Sequence, residues 1–201
     1  VSDVRARVRA HLLEHFAGVG IASEPDVASV TFVGVEPIDV LRFGPDTRPG
    51  LKGVHHHVSL GCSRHPMIEP TDFLADPHQG PRAEVMVSLR GPTPTGLSQS
   101  IAVLAAAPSV EGLVLVADAL IDMEAPLWQG SPFTAMLLGP SDIEDVALSP
   151  PNDPVTFLAA TPITPTEAAW VRLKGADAMR EAWRTDRVDV LDPRRPAAQP
   201  K

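Results

Sequence analysis

Residues 53–67, GVHHHVSLGCSRHPM, hold four of the seven histidines of this chain and its only cysteine. Imidazoles and thiols are the side chains that bind transition metals and supply nucleophiles, so two chemistries are open. If residues 54–60 form a strand, successive side chains alternate between its faces. His55 and His57 then share a face with Ser59, and His56 shares the other with Val54, Val58 and Leu60. A His-x-His pair on a strand is a zinc-ligand arrangement that one more protein ligand and a water would complete. That third ligand is missing from the neighbourhood: Cys62 and His65 lie beyond the Gly61 turn, and no His or Cys follows His78. Cys62 as an acyl-transfer nucleophile needs a base within hydrogen-bond reach. His65 is a turn's width away, and GCSRH lacks the second glycine of a nucleophile elbow. A strand and turn with structural or exposed histidines is the favoured reading. A metal-dependent hydrolase built on His55 and His57 is the alternative.

Other chemical signatures are weak. The segment ALIDME puts Asp122 and Glu124 on one strand face, with no electrophile paired to them. Neither a phosphate-cradling glycine loop, CxxC nor HExxH occurs. Trp128, in the Pro-flanked segment APLWQGSPF, either caps the core or anchors an interface.

The elements that would carry these residues are legible from periodicity. Val4, Val8, Leu12 and Phe16 recur every four positions, which predicts an amphipathic helix over 3–17 ended by Gly18 and Gly20. Residues 28–33 and 38–43 read as strands, and 54–60 is a third. In 82–89, Ala83, Val85, Val87 and Leu89 alternate with Glu84, Met86 and Ser88, which predicts a half-buried strand. A helix over 97–107 should stop at Pro108. Segments 113–121, 133–139 and 154–160 read as strands, the first apolar enough to be central. Thr164, Pro165 and Glu167 spell a helix start with a capping box. That helix should pause near Gly175 and resume through Trp183. Residues 185–201 lack apolar periodicity and should fray. Helices bracketing a run of strands give an α+β class: one domain with a mixed, mainly antiparallel sheet flanked by helices. The expected divisions are an N-terminal helix and connection over 1–27, the α+β domain over 28–184, and a flexible tail over 185–201.

Length and charge narrow the function. A chain of 201 residues can bury one good core. A lone cysteine makes no internal disulfide, the N-terminus lacks the apolar run of a signal peptide, and no segment is long enough to span a bilayer. A cytoplasmic protein with no membrane partner is expected. Net charge is −8, and the 81 residues between Arg90 and Arg172 contain nine acids and no Lys, Arg or His. Such a surface disfavours nucleic acid, which needs clustered basic side chains. It suits a basic protein partner.

Four segments together resemble the Suppressor of fused (SUFU) domain family, in particular its short bacterial members. They are PIDVLRFGPDTRPG, VSLGCSRHPM, RAEVMVSL and PVTFLAATPITPTEAAWVRLKG, the last followed downstream by VDVLDPRRP. Gly61, Ser63 and Met67 are similar to the family's Gly-x-Ser turn and following methionine. Glu84 resembles the acid that begins a family strand. Pro162, Glu167 and Gly175 resemble its proline, helix-starting glutamate and helix-breaking glycine. The likeness covers about residues 28–192. The histidine triplet and the absence of tyrosine depart from the family pattern.

The resemblance implies a binding module, not an enzyme. Animal members grip an extended peptide between two domains, and this chain has the length of the first domain alone. Short bacterial members imply an immunity role, neutralising toxins by direct binding. The expectation is therefore a non-catalytic protein without cofactor that binds a basic protein partner. Its contact acids would be Asp118, Asp122, Glu124, Asp142, Glu144 and Asp145, with Trp128 as an anchor. A scaffold whose partner is neither toxin nor basic is a further possibility.

Overall fold

The computed structural model describes residues 3–199. Helix α1, Val4–Gly18, starts where the Asp3 carboxylate accepts the Arg5 amide at 3.1 Å. An acid at that position satisfies an amide with no partner inside the helix. Its i, i+4 stripe is buried, Val8, Leu12 and Phe16 being at most 1% exposed. Phe16 stacks on Phe43 of the sheet with ring centroids 4.1 Å apart. Burying a side chain of this size stabilises the fold by roughly 2–3 kcal/mol.

Seven strands form one sheet: β1 Asp26–Phe32, β2 Val35–Phe43, β3 Val54–Leu60, β4 Arg82–Arg90, β5 Leu120–Asp122, β6 Ala135–Pro140 and β7 Val155–Ile163. The spatial order is β1-β2-β3-β4-β7-β6-β5. Only β4 and β7 pair in parallel; every other neighbouring pair is antiparallel. The mixed, mainly antiparallel sheet of the α+β expectation is what forms.

Strand alternation divides the core. Leu41, Phe43, Val58 and Leu60 meet α1 on one face. Ile38, Val40, Val85 and Val87 meet α2, Leu97–Glu111, on the other. Helices α3, Pro165–Lys174, and α4, Ala176–Thr185, cover Ala135, Leu137 and Ile163 at the far end of the α1 face. The capping box is present: the Glu167 amide donates to Thr164 Oγ1 at 3.2 Å, and the Thr164 amide donates to Glu167 Oε1 at 3.0 Å.

Several expectations are corrected. β4 is not half-buried, because both its faces are covered; Glu84 is 0% and Met86 7% exposed. Helix α2 runs past Pro108 to Glu111. So close to the helix end, proline forfeits a single backbone bond, and Gly112 in the left-handed region closes the helix. Segment 113–121 is not a central strand. Asp118, at φ 71°, turns the chain, and only β5 forms, at the sheet's edge beside β6. The apolar run instead lays Leu115 over the core while Val116 is exposed. The segment expected to fray is anchored, with Arg195 3% and Ala198 4% exposed; the last two positions of that expected tail lie outside the described residues. Among the described residues no helix is long and apolar enough to cross a membrane.

Candidate functional site

The histidine strand lies in the middle of the sheet, and each imidazole is engaged by the protein itself. His55 donates from Nδ1 to the Gly91 carbonyl at 2.8 Å. His56 faces α1, with its ring 5.4 Å from that of Phe16. Its Nε2 donates to Asp46 Oδ2 at 2.8 Å, and its Nδ1 lies 2.7 Å from Ser88 Oγ. His57 is 1% exposed. Its Nδ1 donates to the Val87 carbonyl at 3.1 Å, which leaves Nε2 to accept the Thr93 hydroxyl at 2.8 Å. Burial lowers the His57 pKa to about 4, the Val87 bond offsetting only part of that effect. Among the described residues no three His, Cys, Asp or Glu side chains are grouped to hold a metal. The His57 lone pair a metal would need is already committed. Cys62 is buried, and its thiol is pushed well up by burial and then by the nearby Glu84 charge. That environment suppresses the thiolate a nucleophile requires.

Gly61, Ser63 and Glu84 converge on one buried carboxylate. Glu84 Oε1 accepts from the Gly61 amide at 2.8 Å, the Ser63 amide at 3.0 Å and the Ser63 hydroxyl at 2.6 Å. Oε2 accepts from the Ser59 hydroxyl at 2.5 Å, and Ser59 in turn accepts the Val85 amide at 2.9 Å. Burial raises the Glu84 pKa, opposed by those four donors. The turn itself requires glycine: Gly61 sits at φ 142°, and a Cβ there would come within 3.0 Å of Ile38 and 3.2 Å of the Pro37 carbonyl. Met67 stands apart in the α2-side core.

Glu167 organises a second buried network. Besides capping α3, it accepts Trp183 Nε1 at 2.9 Å and pairs with both terminal nitrogens of Arg195. Arg195 also donates to the Pro162 carbonyl at 2.9 Å, which ties Pro162 and Glu167 together through one side chain. Burial opposes ionisation of Glu167, yet the Arg195, Thr164 and Trp183 bonds outweigh it and hold the carboxyl below its ordinary range. Gly175, at φ 92°, separates α3 from α4.

The six acids fall into two groups flanking β6. Asp118, Asp122 and Glu124 follow the β5 edge, and Asp142, Glu144 and Asp145 occupy the β6–β7 connection beside α1. Asp118 donates its amide to the Leu138 carbonyl at 2.8 Å, only four residues before Asp142. Cations from elsewhere in the chain reach three of them. Arg180 donates to Asp118 at 2.5 Å, Arg172 to Asp122 at 2.8 Å, and Arg48 lies 3.9 Å from Asp142. The Glu124 amide and Arg172 lower the Asp122 pKa. Glu124, Glu144 and Asp145 are exposed and make no ion pair among the described residues. Trp128 is 7% exposed and tilts over Phe133 with centroids 5.4 Å apart, the core-capping alternative.

Sequence reasoning passed over Asp46, Arg82 and Arg195. Asp46 is 1% exposed, and burial opposes its ionisation. Hydrogen bonds from Arg48 and His56 outweigh burial and hold Asp46 well below the usual carboxylate range. Its signal was the spacing D-x-R in a turn; Arg82 opens the alternating segment 82–89 but its partners Ser63, Arg64 and Asn152 are distant in sequence, and Arg195 stands in a segment with no periodicity to place it.

No curated protein sequence matches the chain. The fold does have solved relatives. A SUFU homologue from Neisseria gonorrhoeae, solved at 1.40 Å resolution, superimposes with a TM-score of 0.66 at 17% identity, covering 99% of this chain and 98% of that one. The crystal structure of a Sufu–Fu complex gives a TM-score of 0.69 at 13% identity, with 98% and 91% covered. Drosophila Suppressor of Fused gives 0.60 at 13% identity; 91% of this chain corresponds to 46% of that protein. The model of the Suppressor of fused protein family matches residues 34–196, from the turn between β1 and β2 to the arginine-anchored tail, and the chain belongs to that family.

Proposed function

We propose that this protein is a non-catalytic binding module that neutralises a basic protein partner, of the immunity type, in the cytoplasm. The observation that carries the reading is the trio Glu124, Glu144 and Asp145. These acids are exposed and unpaired among the described residues, inside a stretch of 81 residues free of cations. Arg172 and Arg180 pair with Asp122 and Asp118, which leaves Glu124 unpaired in the β5 group and Glu144 and Asp145 unpaired in the β6–β7 group. A one-signed surface steers an oppositely charged partner. The reactive side chains support the same reading, since His57, Cys62 and Glu84 are buried and spent on the fold. A related fold occurs in a Sufu–Fu complex, which fits a role in holding another protein.

Immobilised full-length protein and its Glu124→Lys/Glu144→Lys/Asp145→Lys variant, exposed to lysate of the native host at low salt, test this. A protein of pI above 9 should bind the wild type, elute with salt and miss the variant. An acidic partner, or one held equally by both, contradicts the reading.

A further inference from the structure

Opposite in sign to the acidic loops is a cavity of about 580 Å³ between the start of α1 and the loops around β4. Arg7, Arg64 and Arg82 line it together with His65 and His78, and Arg64 Nη1 donates to the Pro37 carbonyl at 2.7 Å, so only its other guanidinium nitrogens remain. No carboxylate is among its lining residues. Glu36 lies 3.2 Å from His65 Nε2 and 3.9 Å from Arg64 Nε, and Asp76 accepts the His78 amide. Asp153 acts on Arg82 only through its field, its Oδ2 accepting the Gly80 amide at 2.9 Å. Arg7 has no ion pair among the described residues.

Arg82 is the unusual member. It is 4% exposed, yet among the described residues no carboxylate forms an ion pair with it. Nη1 donates to the carbonyls of Ser63 at 2.9 Å and Arg64 at 2.7 Å, and Nη2 to Asn152 Oδ1 at 2.9 Å. Its Nε–H is buried without an acceptor. A buried cation without a counter-ion is costly, and buried polar groups nearly always find partners. The first turn of α1 places the positive end of a helix dipole beside Val4 and Arg7, partly offset by the Asp3 carboxylate, which accepts the Arg5 amide at 3.1 Å. Val4, Pro77, Leu148 and Pro151 give the cavity an apolar wall.

We propose that this cavity binds a small phosphate-bearing molecule, with its phosphoryl oxygens on Arg82, Arg64 and Arg7 and any organic body against the apolar wall. Guanidinium forks match phosphate geometry, and the volume is that of a small-molecule site. The site is independent of the acidic surface, so either can fail alone.

Calorimetric titration and thermal melting of the full chain with inorganic phosphate, pyrophosphate and AMP, at matched low ionic strength, test it. At least one of these should bind and raise Tm, where sodium chloride and succinate do not. Tighter binding of AMP identifies an ester; equal binding of inorganic phosphate identifies the free anion. Arg7→Glu should leave the Tm of the free protein unchanged and weaken binding at least about tenfold, since it reverses one contact charge. Arg82→Gln should abolish binding; where it fails to fold, Arg7→Glu decides. Absence of binding, equal stabilisation by succinate, or unchanged affinity in Arg7→Glu overturns the proposal.

Discussion

Arg195 and Glu167 meet as a bidentate pair deep inside the protein, Nη1 to Oε2 at 2.9 Å and Nη2 to Oε1 at 3.0 Å, across 28 positions of sequence. Both side chains are almost wholly removed from solvent, 3% and 0% exposed. Removing one partner strands a buried charge, which costs about 3–5 kcal/mol. Arg195→Met should therefore destabilise by about that much in urea unfolding. The double change Arg195→Met/Glu167→Gln should recover part of the loss, because no naked charge remains. An Arg195→Met protein as stable as wild type contradicts the anchoring role of the tail.

Glu84 is a different case, since it is buried with hydroxyl and amide donors and no cation. Glu84→Ala leaves four donors without an acceptor, each worth about 1–3 kcal/mol when buried. A loss of at least about 3 kcal/mol is expected, with the Gly61 turn loosened in amide exchange. Glu84→Gln keeps an acceptor for three donors and should cost far less. The raised pKa adds a sign. The folded state holds this proton more tightly than the unfolded chain, so ionisation of Glu84 reduces stability as pH rises above its ordinary value of 4.5. Glu84→Gln removes that component, which a comparison of unfolding curves on the two sides of the titration measures.

His57 works in the opposite direction. Its folded pKa is about 4 against an ordinary 6.5. At pH 7 both states are neutral and nothing is gained. Below 6.5 the unfolded imidazole takes a proton that the folded one refuses, so stability falls until pH passes about 4. One pKa unit corresponds to about 1.4 kcal/mol, so the loss from pH 7 to 4.5 is about 2.5 kcal/mol. His57→Gln should begin less stable, having lost the Thr93 and Val87 bonds, and decline less over the same interval. Parallel declines in the two proteins contradict the assignment of a neutral, buried His57.

Cys62, with its thiol pushed up by burial, should resist alkylation in the folded protein and react at once in denaturant. Rapid labelling under native conditions contradicts its burial.

The parts of the fold that were legible are those where one local pattern decided the outcome. The fourfold spacing of Val4 to Phe16 set α1, and Thr164, Pro165 and Glu167 set the start of α3. What misled was tertiary context. Segment 113–121 has strand-like composition, but Asp118 turns it, leaving room at the sheet edge for only three paired residues. Residues 185–199 have no period because their hold is a few scattered long-range contacts, Arg195 and the Ala198 amide to Glu167 and the Leu191 carbonyl and Asp189 to Arg90, which periodicity does not register. At the candidate site, the acids were visible as a run without cations. Their partial neutralisation by Arg172, Arg180 and Arg48 was not, since those arginines lie outside that run and approach only in the folded chain.

The central proposal is that the unpaired acids of the two loop groups flanking β6, not bond chemistry, meet the partner. The most direct test is the association rate constant of the captured partner, measured against ionic strength for wild type and for Glu124→Lys/Glu144→Lys/Asp145→Lys. The account predicts association at least about tenfold slower for the variant at low salt, converging with wild type as salt screens the field, with dissociation little changed. Equal association rates at low salt contradict it.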